Sequence, residues 1–146
     1  MGKTRVVERL LPFLGEAVAV KVQVTDRSPA RRLEETRPPA DESKDTARYL
    51  AGGARRAFLL SGTAPELLPL ARQIIAEAEG RVVVVETNSL ATELNPDLAI
   101  FVQGKGPLKP GAERCRHAAD LVIATPADIR TGKEADDDRG AAEGNP

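Results

Sequence analysis

Cysteine and histidine are almost absent from this chain of 146 residues: Cys115 and His117 are the only ones. A single thiol excludes an internal disulfide, and the two residues lack the further ligands that a dedicated zinc site needs. Standing two apart on an expected helix, they also point to different faces. Tryptophan is missing and aromatic residues make up only 3%, so platforms for stacking single-stranded nucleic acid are scarce. Neither charge sign prevails, since 21 basic residues stand against 22 acidic ones for a net charge of -1. No overall field therefore draws the chain to nucleic acid or to an anionic membrane. The apolar run Leu98-Ala99-Ile100-Phe101-Val102 is among the longest, far short of the roughly 20 residues that span a bilayer. No leader pattern opens the chain, and a cytoplasmic location is the resulting expectation.

What the chain does have is an alternation of helix-like and strand-like segments within the length of one domain. Behind Arg5, apolar residues recur at Val6, Val7, Leu10, Leu11 and Leu14, a helical spacing that Gly15 ends. Ala17 to Val24 reads as a strand. Thr25 to Asp41 is rich in arginine, acids and proline, and is expected to be a functional or mobile loop. Ser43 to Leu50 reads as a helix with Ser43 as its N-cap and Gly52-Gly53 as its stop. Ala57 to Ser61 follows as a short buried strand.

Thr63-Ala64-Pro65-Glu66 has the form of a capping box, opening a helix that should bury Leu67, Ala71, Ile74, Ile75 and Ala78. Four consecutive valines from Val82 to Val85, ending in Glu86, predict a central parallel strand buried on both faces. Leu98 to Val102 is a second such strand, Pro110 to Ala119 a helix, and Leu121 to Ala124 the last strand. Phe13, Tyr49, Phe58 and Phe101 fall at core-like positions. The predicted fold is α/β: an open, mostly parallel sheet with helices on both faces over residues 1–130, then a disordered acidic tail over 131–146.

Three segments carry types suited to one chemistry. Gly2-Lys3-Thr4 opens the first helix as the final third of a phosphate-binding loop would. Glycine lets the backbone close on phosphate oxygens, lysine supplies a compact cation, and the threonine hydroxyl can ligate magnesium. Glu86 ends a buried strand where phosphate-loop proteins place a carboxylate near the metal or its water. Thr87, Asn88 and Ser89 follow it at the end of the strand where open α/β sheets bind ligands. The third segment runs from Ser43 to Ala54, with Asp45 in its first helical turn, where a carboxylate also suits the helix dipole. The candidate assignments are Lys3, Thr4 and Gly2 on phosphate, Thr4 and Glu86 toward magnesium, Glu86 as the catalytic group, and Asp45 and Asn88 in support.

In this order the segments resemble the molybdopterin-guanine dinucleotide biosynthesis protein B family, a group of phosphate-loop GTP-binding proteins. The most specific part is Lys44-Asp45-Thr46-Ala47-Arg48 with Ala51-Gly52-Gly53-Ala54, which is similar to the family's stretch of glycine, lysine, aspartate and serine running to Ala-Gly-Ala. The likeness extends loosely over residues 2 to 125. It implies a P-loop NTPase-like, nucleotide-binding protein with Mg2+ and GTP as ligands and at most weak GTP hydrolysis. It also implies a role beside other molybdenum cofactor biosynthesis proteins, often as a homodimer. The chain departs from the pattern in three places. Lys21 to Asp26 replaces a histidine-rich turn, Glu86-Thr87-Asn88 lacks the glycine usual after the acid, and no Asn-Lys-x-Asp guanine-reading motif occurs.

Phosphate-loop folds place a strand before the loop, in the sheet interior beside the acidic strand. None precedes Gly2, so the resemblance predicts an α/β fold with its first strand missing and a natural chain extending upstream. Two other functions fit the same residues: a non-catalytic interaction or regulatory module on a degenerate scaffold, and a small ATP-dependent, kinase-like enzyme.

Overall fold

The computed structural model describes residues 2–35, 44–88, 90–104, 106–108 and 111–124. Chain order begins with helix α1 (Gly2–Leu10), a 3-10 turn (Leu11–Phe13) and strand β1 (Val18–Val24). Strand β2 (Arg31–Glu35), helix α2 (Asp45–Ala51), strand β3 (Arg56–Gly62) and helix α3 (Ala64–Glu77) follow. Strand β4 (Val83–Glu86), helix α4 (Ala91–Leu94), strand β5 (Ile100–Val102), helix α5 (Ala112–Ala118) and strand β6 (Leu121–Ile123) complete it. The chain is thus α/β, with a mixed, mostly parallel sheet in the order β2-β3-β1-β4. β1 runs parallel to β3 and to β4, while β2 runs antiparallel to β3.

Side-chain alternation along β1 splits the core into two layers. Val18, Val20 and Val22 pack with Phe58, Leu60, Leu67, Ala71 and Ile74, under α3. Ala17 and Ala19 face the other way and pack with Val7, Leu11, Tyr49 and Ala57, under α1 and α2. The small alanines let both helices approach the sheet closely. Lys21 continues this second row, and Val84 of β4 packs on the same layer. Glu86, two residues on, therefore shares that face.

Several expectations need correction. The four-valine segment is no central strand: among the described residues β4 pairs only with β1 and is an edge of the sheet. Val82 is 46% exposed and Val83 to Val85 are half-buried. β5 and β6 pair with each other in a separate parallel two-stranded sheet, so the described strands do not form one open sheet. The reason is local: β5 and β6 are three-residue strands, and α1 packs against both β4 and β5. Leu98 is exposed, and so is Phe13, which projects from the 3-10 turn at 71% exposure. Ile75 lies 40% exposed at the margin of the buried stripe of α3. The expected N-cap Ser43 and the tail from residue 131 lie outside the described residues.

Part of the expected loop, Arg31 to Glu35, is a strand. Its pattern is too charged to read as one, but charge is what holds it. Arg56 donates two hydrogen bonds to Glu34, at 2.8 and 2.7 Å, and Arg32 bonds Glu77 at 2.6 Å. The Arg32 and Arg56 guanidinium groups each lie 4.9 Å from the centre of the Phe58 ring, close enough for cation–π attraction. The arrangement suits an outer strand, where charged side chains also discourage pairing with other chains.

The capping box is not formed as predicted. Glu66 turns away from the helix backbone, accepting hydrogen bonds from Ser28 Oγ and from the Ala30 N–H, each at 2.8 Å. The Thr63 hydroxyl donates to the same carboxylate at 2.8 Å. Glu66 thus ties α3 to the loop between β1 and β2. Gly62 secures the other side of that loop, since a Cβ on it would lie 2.6 Å from Ala30 Cβ and 2.7 Å from Ala30 Cα.

Two predictions concern this loop. Gly62→Ala should lower stability by about 1–3 kcal/mol in urea denaturation, because backbone atoms at Ala30 must shift. The hydrogen bonds from Ser28, Thr63 and the Ala30 amide hold the Glu66 carboxyl below its ordinary value of 4.5. A depressed folded-state value contributes stability that is complete above the unfolded-state value and fades as pH falls through the folded one. The stability difference between wild type and Glu66→Gln should therefore be constant at neutral pH and vanish as pH is lowered below 4.5.

Candidate functional site

The carboxyl end of β4, the start of α1 and the start of α2 meet at Glu86. The helix face that buries Val7 and Leu11 also carries Thr4, one turn earlier. The alternation of β1 brings Lys21 to the same layer, and the strand register sets it directly opposite Glu86. In α2, Asp45 and Tyr49 are four apart and share a face. These periodicities converge on one carboxylate, which is 5% exposed.

A buried carboxylate must be matched by donors or it destabilises the fold. Glu86 is matched on both oxygens. The Thr4 hydroxyl donates at 3.0 Å to Oε1 and lies 3.2 Å from Oε2. The Tyr49 hydroxyl donates to Oε1, and Lys21 Nζ approaches Oε2 at 2.5 Å. Lys21 also pairs with Asp45 Oδ2 at 3.2 Å. Burial opposes the charge on Lys21, yet the hydrogen bonds and charges of Glu86 and Asp45 prevail and hold its pKa above the ordinary 10.5. Burial, followed by the Glu86 charge and its hydrogen bond, pushes the Tyr49 phenol far above the ordinary value of 10. Both shifts favour the protonated forms, with Tyr49 as donor and Lys21 as cation.

Beside this cluster, Lys3 Nζ donates to the Asn88 side-chain carbonyl. The Cys115 thiol lies 3.8 Å from the Asn88 backbone carbonyl, so this lone cysteine packs near the site. Gly2 begins α1, and a Cβ there would come 3.3 Å from Val102 Cγ1 of β5. A cavity of about 630 Å³ opens alongside, with Lys21, Gln23, Lys44, Asp45, Thr46 and Asn88 among its lining residues. Its floor is sheet: Lys21 and Leu33 are both register partners of Leu59.

The six candidate residues from the sequence fall into one neighbourhood. Thr4 and Glu86 are hydrogen-bonded, Lys3 and Asn88 are hydrogen-bonded, and Asp45 joins Glu86 through Lys21. Gly2 heads the helix that carries Lys3 and Thr4. Sequence reading missed two members. Tyr49 passed as core packing, although its ring position four residues after Asp45 signals the site face. Lys21 passed as part of a replaced turn, although it extends the row of Ala17 and Ala19.

Hydroxyl and carboxylate oxygens are the ligand types that magnesium takes. With Lys21 on Oε2 and two hydroxyl donors on the carboxylate, however, both Glu86 oxygens are already engaged, and a metal there would compete with these donors. Among the described residues no group of three or more His, Cys, Asp or Glu side chains is placed to hold a metal ion. Comparison of the chain with protein-family models, curated proteins and solved structures gives no match. No helix of the described residues is long and apolar enough to cross a membrane.

Removing a donor from a buried carboxylate leaves that acceptor under-satisfied, at a cost of about 1–3 kcal/mol. Tyr49→Phe and Thr4→Val should each destabilise the chain by that amount in urea denaturation. Because both hydroxyls serve one acceptor, the double variant should depart from the sum of the single effects by roughly 0.5 kcal/mol or more.

Proposed function

We propose that the chain is a nucleotide-binding protein that holds a phosphate group between Lys3, the start of α1 and Asn88. The observation that carries this reading is the meeting of Lys3, Thr4, Glu86, Asn88 and Asp45 at one strand end, with Lys21 on the carboxylates and Lys3 on Asn88. Lysine is a point charge suited to phosphate oxygens, and the amides opening a helix add donors of the right sign. The adjoining cavity, with carboxamide, carboxylate and ammonium groups beside Leu33 and Leu59 of the sheet, has the size range of a small-molecule site.

The Lys44 to Ala54 resemblance makes GTP the first nucleotide to test and attachment of a guanine nucleotide to molybdopterin the process served. Hydrolysis is not part of this reading. Glu86 accepts bonds from Thr4, Tyr49 and Lys21 and is buried, which makes it a poor base toward water. The same saturation favours binding without turnover over a kinase-like reaction, and it supports the alternative of an interaction module if no nucleotide binds.

A ligand present at about 100 times its Kd stabilises the folded chain by about 2.7 kcal/mol. GTP should raise the melting temperature, and Lys3→Ala should abolish the rise while leaving the melting temperature without ligand nearly unchanged. ATP in a parallel melt reads base preference. Equal melting of wild type with and without GTP, ATP or GDP would reject the nucleotide reading in favour of an interaction module.

A further inference from the structure

We infer that Lys21 is a built-in counter-cation that occupies the place a divalent metal would take between Glu86 and Asp45, so that this site operates without a metal on its acidic strand end. The inference builds on the nucleotide reading for the purpose of the site, but its geometry stands apart from any nucleotide. Two carboxylate oxygens from different elements, Glu86 Oε2 on β4 and Asp45 Oδ2 at the start of α2, converge on a single ammonium at 2.5 and 3.2 Å. Two carboxylates brought together repel, and the ammonium set between them offsets that repulsion.

The position is also fixed from below. Lys21 lies mid-strand, paired in register with Leu59 on one side and Glu86 on the other, so its stem starts from a rigid sheet. Its side chain is 26% exposed and that of Glu86 is 3% exposed. An ion arriving from solvent would have to displace a tethered cation that dilution never removes. A metal and an ammonium would compete for the same oxygens, and the ammonium has the higher effective concentration. The chain thus gains a cation that is always present, at the expense of the double charge a metal would offer to an incoming anion.

The test is a manganese titration of the full chain without nucleotide, followed by electron paramagnetic resonance. Wild type and Lys21→Arg, which keep the cation, should take up no stoichiometric Mn2+. Lys21→Met and Lys21→Gln should each bind one Mn2+ at least roughly tenfold more tightly than wild type, displaceable by Mg2+ and lost again when Asp45→Asn is added. Should the neutral variants unfold because Glu86 is left unpaired, added Mg2+ should restore their folded circular dichroism while leaving wild type unaffected. Wild type binding Mn2+ in a way that Glu86→Gln abolishes would overturn the inference. So would neutral variants that fold without gaining Mn2+, or that stay unfolded in Mg2+. Because no nucleotide is present, a negative GTP melt rejects the earlier reading and leaves this outcome to be decided by the metal alone.

Discussion

The buried carboxylate of Glu86 organises the molecule. An unmatched charge at that depth would be prohibitive, and its donors come from three separate elements: Thr4 on α1, Lys21 on β1 and Tyr49 on α2. Each donor lies at the end of a packed stripe, so satisfying the carboxylate and burying the alanine layer of β1 are one geometric problem. Val7 and Leu11 seat α1, Tyr49 seats α2, and both helices then point a polar group at the same strand end. The ion pair between Arg48 and Glu8 also joins the two helices. Fold and site are coupled because the same residues serve both.

That coupling separates the two faces of the sheet. The α3 face is apolar throughout, with Phe58, Leu60, Leu67 and Ile74 fully buried. The opposite face begins apolar at Ala17 and Ala19 and becomes charged at Lys21. One side supplies most of the hydrophobic stabilisation while the other trades apolar area for a polar network. Such networks are costly when incomplete and specific when satisfied. Here both carboxylate oxygens are occupied.

Elements with a clear period were legible in the sequence. β1, β3 and α3 lie within a residue or two of where alternation, short apolar runs and helical spacing put them, because burial dictates those patterns. β2 was not legible: a strand reading Arg-Arg-Leu-Glu-Glu is held by ion pairs and by guanidinium groups over Phe58, neither of which leaves a period. Glu66 misled for a related reason. Its spacing from Thr63 fits a cap, but the loop at Ser28 and Ala30, distant in sequence, offers the carboxylate better donors. Within the site, residues belonging to short motifs could be found, whereas Lys21 and Tyr49 required knowing which strand and helix faces meet. The valine run misled in its own way, since hydrophobicity reports a preference for burial and says nothing of how many neighbours a strand has.

That valine run has a consequence of its own. β4 offers a row of backbone groups with no strand partner among the described residues, on side chains of high β-propensity. An open edge of this kind is a template on which a strand of another chain can pair. One exposed charge, Arg81, stands guard where the run begins, as gatekeepers do around unavoidable sticky segments. The acid at the other end is turned inward to Thr4, Tyr49 and Lys21, so the check on a growing stack of neighbouring molecules falls to the arginine alone.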